Sequence, residues 1–392
     1  MSATRIEAPR AIDEAIALLR HASVRGETVA IAGGGTKAGV GYPAADADVL
    51  LRTTLLDRVV EYAPADLVVE VEAGATIAAL QSQLAPHRQR LALDPPEPER
   101  ATIGGLLATN TFGPRRARFG SLRDLIVGIS LVRADGARVR GGGKVVKNVA
   151  GFDLPKIAVG SLGSLGLIAT ATFRLHPIPE STRAVCVADL DAGEVRALVA
   201  AIVAARIEPT AVVAHLDGDR YACFVAFEGF ESGVAEQIER FAAVAAASDS
   251  SCSEVPASAP FAIDNDARTF GEFRLRAAVP PAAFEALHRN VCAPFVAAGE
   301  RSAIVAYPTL GIAFASGFYG DSEAFARAIL AMRRSCEAIG GNLEILANDR
   351  ADLAQRLDPY GTLPGAYPIM RRLKDRFDPG HRINRGRFIG KL

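Results

Sequence analysis

The chain reads as an α+β protein: two α/β subdomains, then an antiparallel-sheet domain, then a C-terminal segment that returns to the first part. Three observations predict this. Through residue 180, short apolar strand runs alternate with helical stripes and glycine-rich turns. From 181 to 348, two β-α-β-β-α-type runs follow one another. Residues 349–392 combine a helical stripe with turn chemistry at Asp378-Pro379-Gly380, too ordered for a loose end. The expected domains are therefore 1–180, 181–348 and 349–392.

Taken in order, residues 8–21 carry a helical stripe, with Pro9 suited to the first turn and Gly26 beyond the end. A four-residue apolar strand, 29–32, runs into Gly33-Gly34-Gly35-Thr36-Lys37, and a second strand follows at 49–51. Residues 68–71 form a strand and 75–85 a helix ended by Pro86, before the stiff Pro95-Pro96-Glu97-Pro98 segment. Thr102 is placed to cap a short apolar helix ending near Asn110. Asp135-Gly136 joins strands 126–132 and 138–140 as a hairpin, and 167–175 alternates as a strand.

In the next part, strands are expected at 185–190, 210–216 and 221–227, with helices at 192–205 and 231–247. Strands at 273–279, 302–307, 312–319 and 342–347, with helices at 281–298 and 321–339, repeat the pattern. The two runs read as ferredoxin-like halves of one antiparallel sheet with helices on one face, joined by a loop at 248–260.

The glycine loop carries the chemistry. Glycines after a strand let the backbone approach a ligand, and successive N–H groups in such a turn suit a phosphate. Gly33-x-Gly35-x-x-Ala38 satisfies the dinucleotide fingerprint, but Gly39, Gly41 and Pro43 forbid the helix which that motif requires. Lys37 lies outside Walker A spacing. A pyrophosphate cradle made of turn backbone remains, beside the plainer alternative of a tight turn.

Composition excludes several classes. Lys plus Arg equals Asp plus Glu at 44 each, so no net field recruits nucleic acid or an anionic membrane. No apolar run approaches about 18 residues, and no signal-type segment opens the chain, which points to a cytoplasmic location. The five cysteines include no C-x-x-C and the six histidines no close pair, so neither a metal site nor an iron–sulfur cluster is expected.

Four ordered segments resemble one family: Ala32-Gly33-Gly34-Gly35-Thr36; Thr102-Ile103-Gly104-Gly105 with Asn110; Lys147 to Leu154 followed by Gly160 to Ile168; and Phe377-Asp378-Pro379-Gly380 with Ile383-Asn384 and Gly386-Arg387-Phe388. Together they resemble the vanillyl-alcohol-oxidase-type (PCMH-type) FAD-binding fold. With Arg115-Arg116 and Arg123-Asp124-Leu125, the resemblance is closest to the FAD-binding E-type subunit of bacterial glycolate oxidase.

The resemblance implies FAD, with its pyrophosphate on Gly33, Gly34, Gly35 and Thr36 and Lys37 beside them. It places Thr102, Ile103, Gly104 and Gly105 against the flavin as bare backbone donors, and Asn110 in the same flavin-facing segment. Ile168 would serve the adenine side and Asn384 would approach from the tail. Arg385 stands where the family usually has proline. Thr36 and Lys37 offer no attachment point for a covalent flavin, so FAD is expected to be noncovalent. The family's cap-domain histidine segment is missing: His215 and His288 read as ordinary side chains, and no catalytic residue is assigned.

Three functions stay open. The first is the FAD subunit of a glycolate or D-lactate oxidising complex, with a catalytic flavin subunit and an iron–sulfur subunit as partners and membrane contact only through them. The second is a self-sufficient FAD oxidoreductase, with Arg274 or Arg276 holding a substrate carboxylate. The third is a non-catalytic scaffold. The arginines at 115–118 are expected to form an exposed or partner-facing patch.

Overall fold

The structure, a computed structural model, describes residues 4–43, 45–143, 153–248 and 250–392. The Lys147–Phe152 part of the third motif lies outside the described residues. The chain forms two compact units. One comprises the described residues through Phe112, of Gly120–Ile178, and Thr362–Leu392; the other comprises Gly113–Phe119 with those of Pro179–Gly361. No helix among the described residues is long and apolar enough to cross a membrane.

In the first unit, Arg5–Glu7, Val49–Arg52 and Val29–Ala32 make a three-stranded parallel sheet in that spatial order. The helix Ile12–Arg25 packs on it through Ala15, Leu19 and Ala22, a spacing of four and then three that keeps one face inward. It starts later than the apolar stripe suggests, leaving Pro9 ahead of the first turn. It ends where Gly26, at φ 74°, donates back to the Ala22 and Ser23 carbonyls.

A second sheet is antiparallel, in the order Val59–Ala63, Val68–Glu72, Leu167–Arg174, Ile126–Val132, Arg138–Gly142. Its central strand, Leu167–Arg174, is buried at all but its last residue rather than half-exposed as an alternating strand would be. Both faces are covered: Ile168, Ala171 and Phe173 join one core, Leu167 and Ala169 the other.

The second unit is one antiparallel sheet of eight strands, in the order Cys252–Val255, Ser181–Leu190, Arg220–Gly229, Ala211–Asp217, Arg301–Tyr307, Ile312–Phe318, Phe273–Ala278, Asn342–Asn348. The two halves join where Ala214 and Leu216 pair with Ala306 and Ile304. Alternate residues such as Val212, Ala214 and Leu216 meet the helices Ala192–Ala204, Glu231–Ala246 and Ser322–Glu337 in one core.

Three expectations for this unit are corrected. The 248–260 segment holds an edge strand, Cys252–Val255, and leads into a helix, Ala259–Thr269. The strand has a polar, four-residue sequence with no apolar pattern to reveal it; the ladder to Ser181–Leu190 and the Arg183–Glu254 ion pair hold it. Helices are therefore not confined to one face, because Phe261 of the new helix packs on Ala184, Ala211 and Ala226 from the other side. The 281–298 helix is broken into Phe284–Leu287, a π-turn His288–Cys292, and Ala293–Ala298. Pro294, which has no N–H, lies two residues beyond that turn.

Candidate functional site

The strand Val29–Ala32 ends in the glycine loop, and the residues after it turn without forming a helix. Gly34 must be glycine: a Cβ there would lie 1.8 Å from the Arg100 carbonyl oxygen. Gly35 sits at φ 79° with open space where its Cβ would be. Among the described residues, the amide N–H groups of Gly33, Gly34, Gly35 and Thr36 donate to no protein acceptor. Four neighbouring amides left for a ligand form an anion-binding concavity. Beside them Lys37 Nζ lies 3.5 Å from Glu97, which also binds Arg100 at 3.1 Å.

The loop forms one wall of a cleft that is open to solvent and has a cavity volume of about 120 Å³. The opposite wall is the start of the Ile103–Thr109 helix. Buried Thr102 caps it by accepting from Gly105 N at 3.4 Å. Three of the four expected bare donors, those of Ile103, Gly104 and Gly105, are engaged within the protein instead. Ile103 N donates to Ala75 O at 2.9 Å and Gly104 N to Ala73 O at 2.7 Å, so Gly104 and Gly105 offer the cleft a flat surface rather than free N–H groups. These two bonds lock the helix start to the end of the Val68–Glu72 strand.

Ile168 lines the cleft from the Leu167–Arg174 strand. Asn384, 5% exposed, lines it from the tail, and both ends of its amide are bonded to backbone. Its Oδ1 accepts from Ile31 N and its Nδ2 donates to Leu162 O, each at 2.8 Å. The side chain therefore clamps the strand before the glycine loop to the loop after Gly160. The tail backbone does the same: Val29 N donates to Arg382 O, and Asn384 N to Val29 O.

Asn110 is not brought into this cleft. It caps the Ile103–Thr109 helix at φ 50° and lines a separate cavity with Arg123, Ser161, Ser164 and Lys374, its Oδ1 buried without a partner. Gly33 to Lys37, Thr102, Gly104, Gly105, Ile168 and Asn384 do meet around one cleft, while Ile103 faces the core.

Sequence reasoning named Arg387 within the tail motif without assigning it a site role, and it missed Thr53, Ala73 and Thr109. Arg387 lines the cleft and its Nη2 donates to Ala38 O and Val40 O at 2.8 Å each, tying tail to glycine loop. The motif does not show which groups Arg387 bonds, because both acceptors lie about 350 positions away in sequence.

In the other unit, the arginines are engaged structurally. Arg115 is mostly buried, bonded to Glu228 at 2.7 Å and stacked 4.0 Å over Phe261, so it is no exposed patch; Arg118 does lie at the surface, paired with Glu208. Arg276 binds Glu344 at 2.5 Å, and Arg274 donates to Gly271 O at 3.3 Å. His288 Nδ1 lies 2.9 Å from Tyr221 Oη, and His215 is half-buried in the sheet; burial lowers the pKa of both. Among the described residues, no group of His, Cys, Asp and Glu is arranged to hold a metal.

Comparison with known proteins agrees with the cleft. Residues 3–142 match the family model described as FAD binding domain. The chain is 37% identical over 125 residues to glycolate oxidase subunit GlcE of Escherichia coli (strain K12), 32% of this chain and 36% of that protein. It is 34% identical over 170 residues to D-lactate dehydrogenase of Archaeoglobus fulgidus, 43% of this chain and 38% of that protein. These matches span well under half the length of either relative. In fold the chain is similar to alkyldihydroxyacetonephosphate synthase, with a TM-score of 0.72 at 18% identity, covering 97% of this chain and 75% of that one.

Proposed function

With an FAD-binding domain over residues 3–142, we propose that this chain is the FAD-binding subunit of a glycolate- or D-lactate-type 2-hydroxyacid oxidoreductase complex. Residues 1–180 with 349–392 would form the PCMH-type FAD domain, and 181–348 the cap. Its partners would be a catalytic flavin subunit and an iron–sulfur subunit, in the cytoplasm, with any membrane contact made through them.

The observation that carries this is the cleft's fit to a dinucleotide. The unbonded amides of Gly33, Gly34, Gly35 and Thr36 would hold the pyrophosphate, and Lys37 adds a positive charge beside them. Gly104 and Gly105 would leave room for the flavin ring, and Ile168 would flank the adenine end. Bound FAD supplies a two-electron acceptor for oxidation of a 2-hydroxyacid. The chain's own task is to bind, orient and shield that group. Among the described residues, no His or Cys lines the cleft, which supports a noncovalent flavin.

The self-sufficient alternative is disfavoured because Arg276 is committed to Glu344 and Arg274 bonds Gly271 O. Purified chain titrated with FAD should turn yellow and release all its flavin on acid precipitation. It should not bleach anaerobically with glycolate or D-lactate until the partner subunits are added. Bleaching by the chain alone would establish an independent substrate site, and failure to take up FAD would leave the scaffold reading.

A further inference from the structure

We propose that Lys374 and Asp378 are positioning residues for the dinucleotide: their buried ion pair sets the 161–166 wall of the cleft, so tail docking and FAD affinity are one linked equilibrium. The inference rests on the FAD assignment above.

Lys374 and Asp378 lie one helical turn apart at the end of the Tyr367–Phe377 helix, with side chains 1% and 0% exposed. Every ammonium proton has an acceptor: Asp378 Oδ2 at 2.7 Å, Ser164 O at 2.8 Å and Ile383 O at 2.9 Å. Asp378 Oδ2 also accepts from Ile383 N at 2.8 Å. One pair thus holds the Ser164 carbonyl, between the cleft-lining Gly163 and Gly166, and both backbone groups of the residue that bridges to Val29.

The wall needs holding. Leu162, at φ 51°, and Gly163, at φ 66°, are both in the left-handed region, which costs a leucine roughly 1–2 kcal/mol. Asn384 Nδ2 grips the Leu162 carbonyl and Lys374 Nζ the Ser164 carbonyl, one on each side of Gly163. Leu162, Gly163 and Gly166 line the cofactor cleft directly.

Stability alone is a poor reason for such a pair. Removing two ions from water is expensive, and well-packed apolar replacements are often as stable or more so. Asp378 Oδ1 is buried with no hydrogen-bond partner, and burial lowers the Lys374 pKa against the pull of Asp378. What the pair supplies that apolar side chains cannot is direction: three bonds that fix where the wall stands.

The test is the double variant Lys374→Met/Asp378→Leu, which removes both charges and leaves neither ion unpaired. Its FAD dissociation constant, measured well below the melting range, should rise at least about tenfold; the Ser164 and Ile383 carbonyls and the Ile383 N–H also lose their partners, so the FAD-free chain should melt several degrees lower. Unchanged FAD affinity in a folded double variant overturns the proposal. Hydrogen exchange on the unsubstituted chain tests it without any substitution. FAD should slow exchange at the Ile383 and Asn384 amides together with those of the 161–166 segment. Protection of the glycine loop with no change at Ile383 overturns the linkage. A chain that takes up no FAD overturns the cofactor assignment as well, a result distinct from either of these.

Discussion

A Cβ on Gly33 would stand 2.2 Å from Thr102 Oγ1, so the glycine loop and the cap of the Ile103–Thr109 helix are in contact without space for a methyl group. The hydroxyl cannot swing aside freely, because it accepts from Gly105 N. Gly33→Ala should destabilise the chain by about 1–3 kcal/mol through overpacking. Thr102→Ala should cost about 1 kcal/mol as a lost cap. The double variant should cost less than the sum, since the second change removes the atom in the way of the first. Denaturant midpoints for the four proteins measure this coupling. Gly34→Ala meets the Arg100 backbone at 1.8 Å, which no side-chain change relieves, and should abolish flavin uptake whatever stands at 102.

Asn384→Ala removes the acceptor of Ile31 N and the donor to Leu162 O in a nearly buried position. Each backbone group left without a partner costs about 1–3 kcal/mol, so a fall in melting temperature of several degrees is expected. Asn384→Gly should recover only part of this loss. It relieves the left-handed backbone at φ 46° but restores neither bond. Differential scanning calorimetry on both variants separates the lost bonds from the strained backbone.

Glu97 holds Lys37 at 3.5 Å beside the phosphate cradle and competes with any bound anion for it. Glu97→Gln should tighten FAD binding and Lys37→Ala should weaken it, each by about two- to tenfold at low salt. The difference between the two should shrink as ionic strength rises, because both side chains are partly exposed. Flavin fluorescence titrations at two salt concentrations provide the check.

Three histidines set a common pH dependence. Burial lowers the pKa of His176, His215 and His288; Arg174 and Arg90 add to the effect at His176, while Asp217 and Asp191 oppose it at the other two. A base depressed in the folded state is neutral there while the unfolded chain still binds the proton. Stability is therefore complete above the unfolded value of about 6.5 and is lost as pH falls through the lower folded values. Denaturant midpoints should drop between about pH 7 and pH 5, and His215→Gln should flatten the slope.

What the sequence determined by itself was whatever depends on near neighbours. The Val29–Ala32 strand, the helix-free glycine loop, the Thr102 cap, the Asp135-Gly136 hairpin and the period-two strands of the eight-stranded sheet all follow from φ preferences and side-chain spacing within a few residues. Tertiary structure decided what those pieces touch. It consumed the Ile103 and Gly104 donors at the end of another strand, turned Asn110 into a separate cavity, and buried Arg115 against Glu228. It also made the tail part of the cleft: Asn384 reaches Ile31 across 353 positions and Lys374 reaches Ser164 across 210. The strand at Cys252–Val255 exists only because a backbone ladder was waiting for it. Contacts of that range carry no local period or propensity. Their residues are recognisable only once the fold has brought the donors and acceptors to within hydrogen-bond distance.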